Sequence, residues 1–198
     1  MEARFLKGPI TVIAGIAASI FCCVFTFISF LLYPTPYSPI NNWLSDLGNS
    51  SNNPAGAFFF NSGLILAGIT FLPFVFGLNK WYVNKKKLKN RLIATQAVGY
   101  LSAFFLIMVG VFSEDYPMQH VFWSATLFIA FGVFVILSGV SLFRHPKFIK
   151  LIGIYGFAVV AIDIIFGLIC HEYLLEWITS FGFLSYIILI TYNMSRKF

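Results

Sequence analysis

Long apolar runs alternate with short polar stretches along the chain, and six of the runs reach membrane-spanning length. They extend from Pro9 to Tyr33, Ala55 to Leu78, Leu92 to Ser113, Val121 to Phe143, Leu151 to Cys170 and Trp177 to Met194. Bilayer hydrocarbon is about 30 Å thick and an α-helix rises about 1.5 Å per residue, so roughly 20 mostly apolar residues cross it. Strand-type alternation of an outer-membrane barrel is absent, and no repeat of roughly 20 to 50 residues recurs. The pattern predicts an all-α, polytopic membrane protein: a six-transmembrane-helix bundle forming a single transmembrane domain over residues 1–198. Arg4 and Lys7 precede the first run as in a secretory signal. That run is too long, however, and has no small-residue cleavage pattern before Pro34, so it is expected to be a retained helix. Pro73 predicts a kink in the second helix. Helix contacts are expected at Ala14 with Ala18, Gly15 with Ser19, and Gly153 with Gly156.

Composition narrows the class. Hydrophobic residues make up 59% of the chain and charged residues 10%, against about 25% charged in soluble domains. Disorder, a coiled coil, a collagen-like fibre and a disulfide framework are thereby excluded. The cysteines, Cys22, Cys23 and Cys170, have no CxxC spacing and signal neither a zinc knuckle nor a redox motif.

The distribution of charge sets the expected orientation. All 13 Lys and Arg residues precede helix 1, lie between helices 2 and 3 or helices 4 and 5, or follow helix 6. With six alternating helices they fall on one side, which the positive-inside rule makes cytoplasmic. The expectation is a multi-pass protein of the cell membrane with both termini inside. Its basic clusters would suit anionic lipid headgroups, with no role for nucleic acid. The opposite face carries Asp46, Glu114, Asp115, Glu172 and Glu176, and Asp163 is the only charge within a span. Trp43, Trp123 and Trp177 are placed near the outer boundary and Trp81 near the inner one, as in an aromatic belt.

The longest outer segment, Pro34 to Pro54, is rich in proline. Within it Trp43, Leu44 and Leu47 would share one side of a short helix ending at Gly48, as in an element lying at the membrane surface. Asn49-Ser50-Ser51 is a formal glycosylation acceptor. Further motifs are Ser45-Asp46-Leu47-Gly48, Phe60-Asn61 with Gly63 and Gly68, and Gly110-Val111-Phe112 followed by Glu114, Asp115 and His120. On these the chain resembles an uncharacterised family of six-helix integral membrane proteins, a domain of unknown function similar to the Frag/DRAM/Sfk membrane proteins. In those relatives a Ser-Asp-x-Gly loop precedes helix 2 and a histidine opens helix 4. The specific likeness is confined to residues 41–68 and 109–133, and Ser113 stands where the pattern has proline. The resemblance implies a role in membrane-lipid organisation, lipid-anchor remodelling or organelle membranes, without an agreed catalytic mechanism.

The chemistry-bearing residues gather at the outer boundary. Ser45, Asp46, Asn61, Asp115, His120, Asp163 and His171 are the candidates for an outer-facing polar pocket. The expected role is binding of a lipid headgroup or small ligand, alone or as subunit or regulator of a larger membrane complex, with no cofactor. Whether the protein is an enzyme stays open, with a structural hydrogen-bond network favoured over chemistry. The alternative is a metal-dependent lipid hydrolase whose divalent ion would be held by Asp46, Asp115, His120 and His171, although no HxxxH or HExxH pair occurs. A serine nucleophile, Ser45 or Ser124 beside His120, is a lesser variant. Asp163 must face the interior, because a carboxylate in hydrocarbon costs about 2.5–3.5 kcal/mol, and Asn61 is its expected partner. Asp46, Asp115 and His120 are expected together on the pocket floor, and His145 in solvent. Transport through Asp163 is disfavoured, since no inverted repeat accompanies it.

Overall fold

A computed structural model describes residues 9–82, 85–169 and 173–197. Cys170, His171 and Glu172 lie outside the described residues, as do Arg4 and Lys7. The described chain is helical, without strands: α1 (Pro9–Leu31), α2 (Ala57–Gly77), α3 (Lys86–Val111), α4 (Pro117–Leu142), α5 (Lys150–Ile169) and α6 (Tyr173–Lys197), with short 3-10 helices at Leu44–Gly48 and Leu78–Trp81. Six of these helices are long and apolar enough to cross a membrane. Three begin earlier than their apolar runs. Lysine and arginine are good helix formers, so α3 starts within the basic cluster at Lys86. Pro117 occupies the first turn of α4, where its missing N–H costs nothing. Tyr173 opens α6, which brings Glu176 into the first helical turn.

The six helices form a ring in chain order, each packed on the next and closed by α1 against α6. Small residues permit the close approaches. A Cβ added at Gly110 of α3 would lie 2.7 Å from the Asn61 carbonyl oxygen of α2, and one at Gly68 would lie 2.9 Å from the Ala103 carbonyl oxygen. Gly63 faces Phe25 of α1, and Gly156 of α5 faces Tyr186 and Val135. Ala14, Ala18 and Ser19 are buried, and Gly15 seats against Phe74 and Thr191. Inside the ring, Phe71 stacks on Phe74 and Phe131, and Phe131 stacks on Phe183 at 5.1 Å, joining α2, α4 and α6 through one aromatic column. Pro73 points outward and α2 continues through it.

Polar side chains buried in the inner half are matched to one another or to helix ends. Gln96 donates to the carbonyls of Val75 and Phe76 at the end of α2, both at 3.1 Å. Asn193 accepts from the Ile149 amide at 3.0 Å and donates to the Lys147 carbonyl at 3.2 Å, tying α6 to the turn before α5. Tyr186 and Ser138 share a 2.7 Å hydrogen bond. Trp81 is buried against Phe148 and His145, so it packs the inner end and does not belong to an aromatic belt. His145 is half-buried there, with its ring 4.9 Å from that of Trp81. These contacts gather the described basic segments at one end of the bundle, and Asp46, Glu114, Asp115 and Glu176 lie at the other.

Candidate functional site

The proline-rich segment after α1 folds back over the outer mouth of the ring. Leu44 and Leu47 are buried beside Phe60, Leu64 and Trp177, so the 3-10 helix plugs the bundle where a surface-lying element was expected. The reason lies in its polar stitching. Asn53, fully buried, donates to the Ser29 carbonyl and hydroxyl and to the Leu47 carbonyl, and accepts from the Gly56 amide. Asn61 donates to the Gly48 carbonyl at 2.9 Å. Trp177 donates to the Asn42 carbonyl, and Tyr37 to that of Trp43. Asn49 accepts from the amides of Ser51 and Asn52, so the glycosylation acceptor is held in an Asx turn.

Two of the predicted site acids belong to this stitching. Asp46 accepts from the Trp43 amide at 3.0 Å and caps the 3-10 helix. Asp115 accepts from both the amide and the hydroxyl of Ser50 at 2.9 Å, and from the Ser113 hydroxyl at 2.9 Å. Partial burial works to raise the Asp115 pKa, but the hydrogen bonds from Ser50 and Ser113 outweigh it and hold the carboxyl below the usual range. Ser113 thus orders the acidic turn by a side-chain bond.

Beside the cap, between α4, α5 and α6, lies an open cavity of about 610 Å³ whose surface is mostly apolar, walled by Trp43, Ser45, Glu114, His120, Val121, Ser124, Ala125, Phe128, Asp163, Glu176 and Thr179 among others. That volume is within the range of natural ligand sites. A second, apolar chamber of about 140 Å³ adjoins it, with Ser45, Ser124, Phe128 and Glu176 in both walls. Phenylalanines 60, 71, 131 and 183 line that chamber.

His120 is buried, and its Nδ1 lies 2.8 Å from the Phe112 carbonyl. A carbonyl only accepts, so Nδ1 carries the proton and Nε2 accepts from the Ser124 hydroxyl at 3.3 Å. The one-turn spacing expected for Ser124 and His120 is therefore realised as a hydrogen bond. His120 bonds to neither aspartate, and the expected floor of Asp46, Asp115 and His120 does not form: only His120 lines the cavity. Among the described residues, no three His, Cys, Asp or Glu side chains are grouped as a metal ion requires. The fourth metal candidate, His171, lies outside the described residues.

Asp163 is half-buried and faces the cavity, as the cost of a lipid-facing carboxylate demands. Its partner is the Thr179 hydroxyl of α6 at 2.9 Å, and the expected link to Asn61 is absent because Asn61 is committed to Gly48. Glu176 accepts from the amide and hydroxyl of Ser45, each at 3.4 Å. Burial, and then the neighbouring Asp46 carboxyl, push Glu114 from the ordinary 4.5 up to about 7, with Glu176 adding to the effect. One Glu114 oxygen, Oε2, is buried without a hydrogen-bond partner.

Glu114 and Glu176 were not among the candidate site residues. The signal for Glu176 is its place on the buried stripe of α6 that continues through Thr179, Phe183 and Ile187. The motif positions recur in this architecture: Gly48 and Asn61 join the cap to α2, Gly68 and Gly110 bring α2 and α3 together, and Glu114 and His120 face the cavity. Residues 16–191 match a family described as a protein of unknown function, DUF998. The chain belongs to DUF998. No curated protein and no solved structure matches it. This DUF998 member is an integral, multi-pass membrane protein, with six helices among the described residues that are long and apolar enough to cross a membrane.

Proposed function

We propose that this DUF998 protein binds the polar end of an amphiphile, a lipid headgroup or a small ligand, in the outer cavity, and that it acts in membrane organisation. The observation that carries the reading is that two compartments share Ser45, Ser124, Phe128 and Glu176, with the carboxyls of Glu114 and Asp163 and the His120 ring in the wall of one and a set of phenylalanines in the wall of the other. A purely structural cap needs no such division, since Asp46, Asn53, Asn61 and Asp115 already hold the outer loop. The likeness to the Frag/DRAM/Sfk proteins points the same way, toward lipids. The positive-inside rule adds that the cavity opens away from the cytoplasm of a cell membrane, with both termini inside. A place within a larger membrane complex is compatible with the same site.

The test is the lipid content of protein purified in a mild non-ionic detergent. Ala125 lines the cavity and is exposed, so Ala125→Trp fills the space with little demand on the core. Wild-type protein is expected to retain a defined amphiphile by native mass spectrometry and the filled variant to lose it. Equal retention by both would refute the site.

A further inference from the structure

The two compartments restrict what can occupy them. Three carboxyl groups, Glu114, Asp163 and Glu176, line the outer cavity, and their hydrogen-bonding neighbours are hydroxyls, amides and Asp46. The outer segments 32–56 and 112–116 contain no Lys or Arg, and all 13 such residues are assigned to the opposite side. A phosphate, sulfate or carboxylate head would therefore meet three carboxyl groups with no lysine or arginine to offset them, the neutral His120 ring being committed to the Phe112 carbonyl and Ser124. The buried, unpartnered Oε2 of Glu114 marks an acceptor still to be satisfied. Trp43, packed on Tyr173 at 4.9 Å, adds an aromatic face to the cavity wall, and indole faces attract ammonium groups. Below, the chamber of about 140 Å³ presents phenylalanine and leucine side chains to whatever follows the head. Its surface is mostly apolar and suits an apolar group.

Resting on the reading of the outer cavity as a ligand site, we infer that its occupant is a cationic amphiphile. Its protonated or quaternary amine sits among Glu114, Asp163 and Glu176, and its single apolar chain enters the chamber between α2, α4 and α6. Ser45 and Ser124, at the junction, face the first atoms beyond the amine and suit a hydroxyl or carbonyl there. Binding is coupled to proton release. Glu114 holds its proton near pH 7, and an arriving ammonium group favours the ionised form. The groups facing Glu114 are Asp46 and Asn49 of the cap, Tyr33 and Tyr37 beyond α1, Glu176 of α6 and, across the cavity, His120 of α4 and Asp163 of α5.

The experiment measures binding of dodecylamine, dodecyltrimethylammonium, dodecanol, laurate and ethylamine to the full chain in a non-ionic detergent, by tryptophan fluorescence. Both long amines are expected to bind at least about tenfold more tightly than dodecanol, laurate or ethylamine. Glu114→Gln/Glu176→Gln should abolish that preference, so that the long amines bind no more tightly than dodecanol does to the same variant. Should the double variant fail to fold, Glu114→Gln alone carries the same expectation at reduced size. Dodecyltrimethylammonium keeps its charge at every pH, so its tightening from about pH 6 to about pH 8 reports the protein's own groups; a flat profile overturns the assignment. Equal binding of dodecanol or laurate, still blocked by Ala125→Trp, overturns the cationic head and leaves the cavity reading standing. Ethylamine binding as tightly as dodecylamine overturns the chain. Binding of every amphiphile unaffected by Ala125→Trp overturns both readings.

Discussion

Adding one methyl group between α2 and α3 tests a contact in which a glycine lies against the backbone of the neighbouring helix. In Gly110→Ala the new Cβ would lie 2.7 Å from the Asn61 carbonyl oxygen and 3.2 Å from the Ile65 amide nitrogen, whereas ordinary contact is 3.4–4 Å. Both obstacles are backbone, so no rotamer change relieves them and the helices must part by several tenths of an ångström. Overpacking of this kind costs about 1–3 kcal/mol, and alanine's helix preference over glycine returns up to about 1 kcal/mol. The net loss is about 1–2 kcal/mol, or about 2–8 °C in apparent Tm for a chain of this length. Gly68→Ala meets the Ala103 carbonyl at 2.9 Å and should behave alike. The two together should lose less than the sum, because one separation of the helices relieves both. Gly132→Ala is the control: its Cβ meets Phe183 at 3.9 Å and Val160 at 4.0 Å, so helix preference should prevail and Tm should hold or rise. The assay is thermal unfolding in one detergent followed by tryptophan fluorescence. Gly110→Ala and Gly68→Ala melting at or above wild type, with Gly132→Ala melting below it, would refute the reasoning.

Three further outcomes follow from the outer end and the charge pattern. The folded protein keeps a proton on Glu114 up to about pH 7, whereas the unfolded chain releases it near 4.5, so stability should fall as pH rises through that window. Glu114→Gln should flatten that slope in melting curves, and an unchanged slope would assign it elsewhere. Asn53→Ala removes its hydrogen bonds to Ser29 and Leu47 beneath the cap, while Ser29 still donates to the Leu47 carbonyl; a loss of about 1–3 kcal/mol and faster proteolysis near residues 34–54 are expected. Single cysteines at Ser50 and Lys87, in a chain lacking Cys22, Cys23 and Cys170, should label from opposite sides of sealed vesicles; labelling from one side would break the six-span reading.

The ring itself was legible because hydrocarbon thickness imposes a run length that a hydropathy pattern cannot hide. The burial of Asp163 was legible for the same reason: in lipid a carboxyl has one affordable direction. What escaped was the division of labour among the outer acids. Asp46 and Asp115 carry the motif-like signal, yet the fold of the cap uses them on Trp43 and Ser50. Glu176 was read as a boundary residue because the apolar run was started at Trp177, although α6 begins at Tyr173, a turn earlier. Long-range pairings such as Ser45 with Glu176, and the capture of Asn61 by Gly48, depend on where a proline-rich loop lands, which no local periodicity encodes.

Closure of the ring by its first and last helices sets an order of assembly. Ribosomes add about 5–20 residues each second, so α1 must wait for nearly the whole chain before its final neighbour exists. Until α6 arrives, Phe131 lacks Phe183, the Asn42 carbonyl lacks Trp177 and the turn before α5 lacks Asn193. The outer cavity gains Glu176 and Thr179 at the same moment. A newly made five-helix intermediate therefore has an open seam along α1, at the place where Gly15 later seats against Thr191. That seam is the structural difference between an unfinished chain and a finished one.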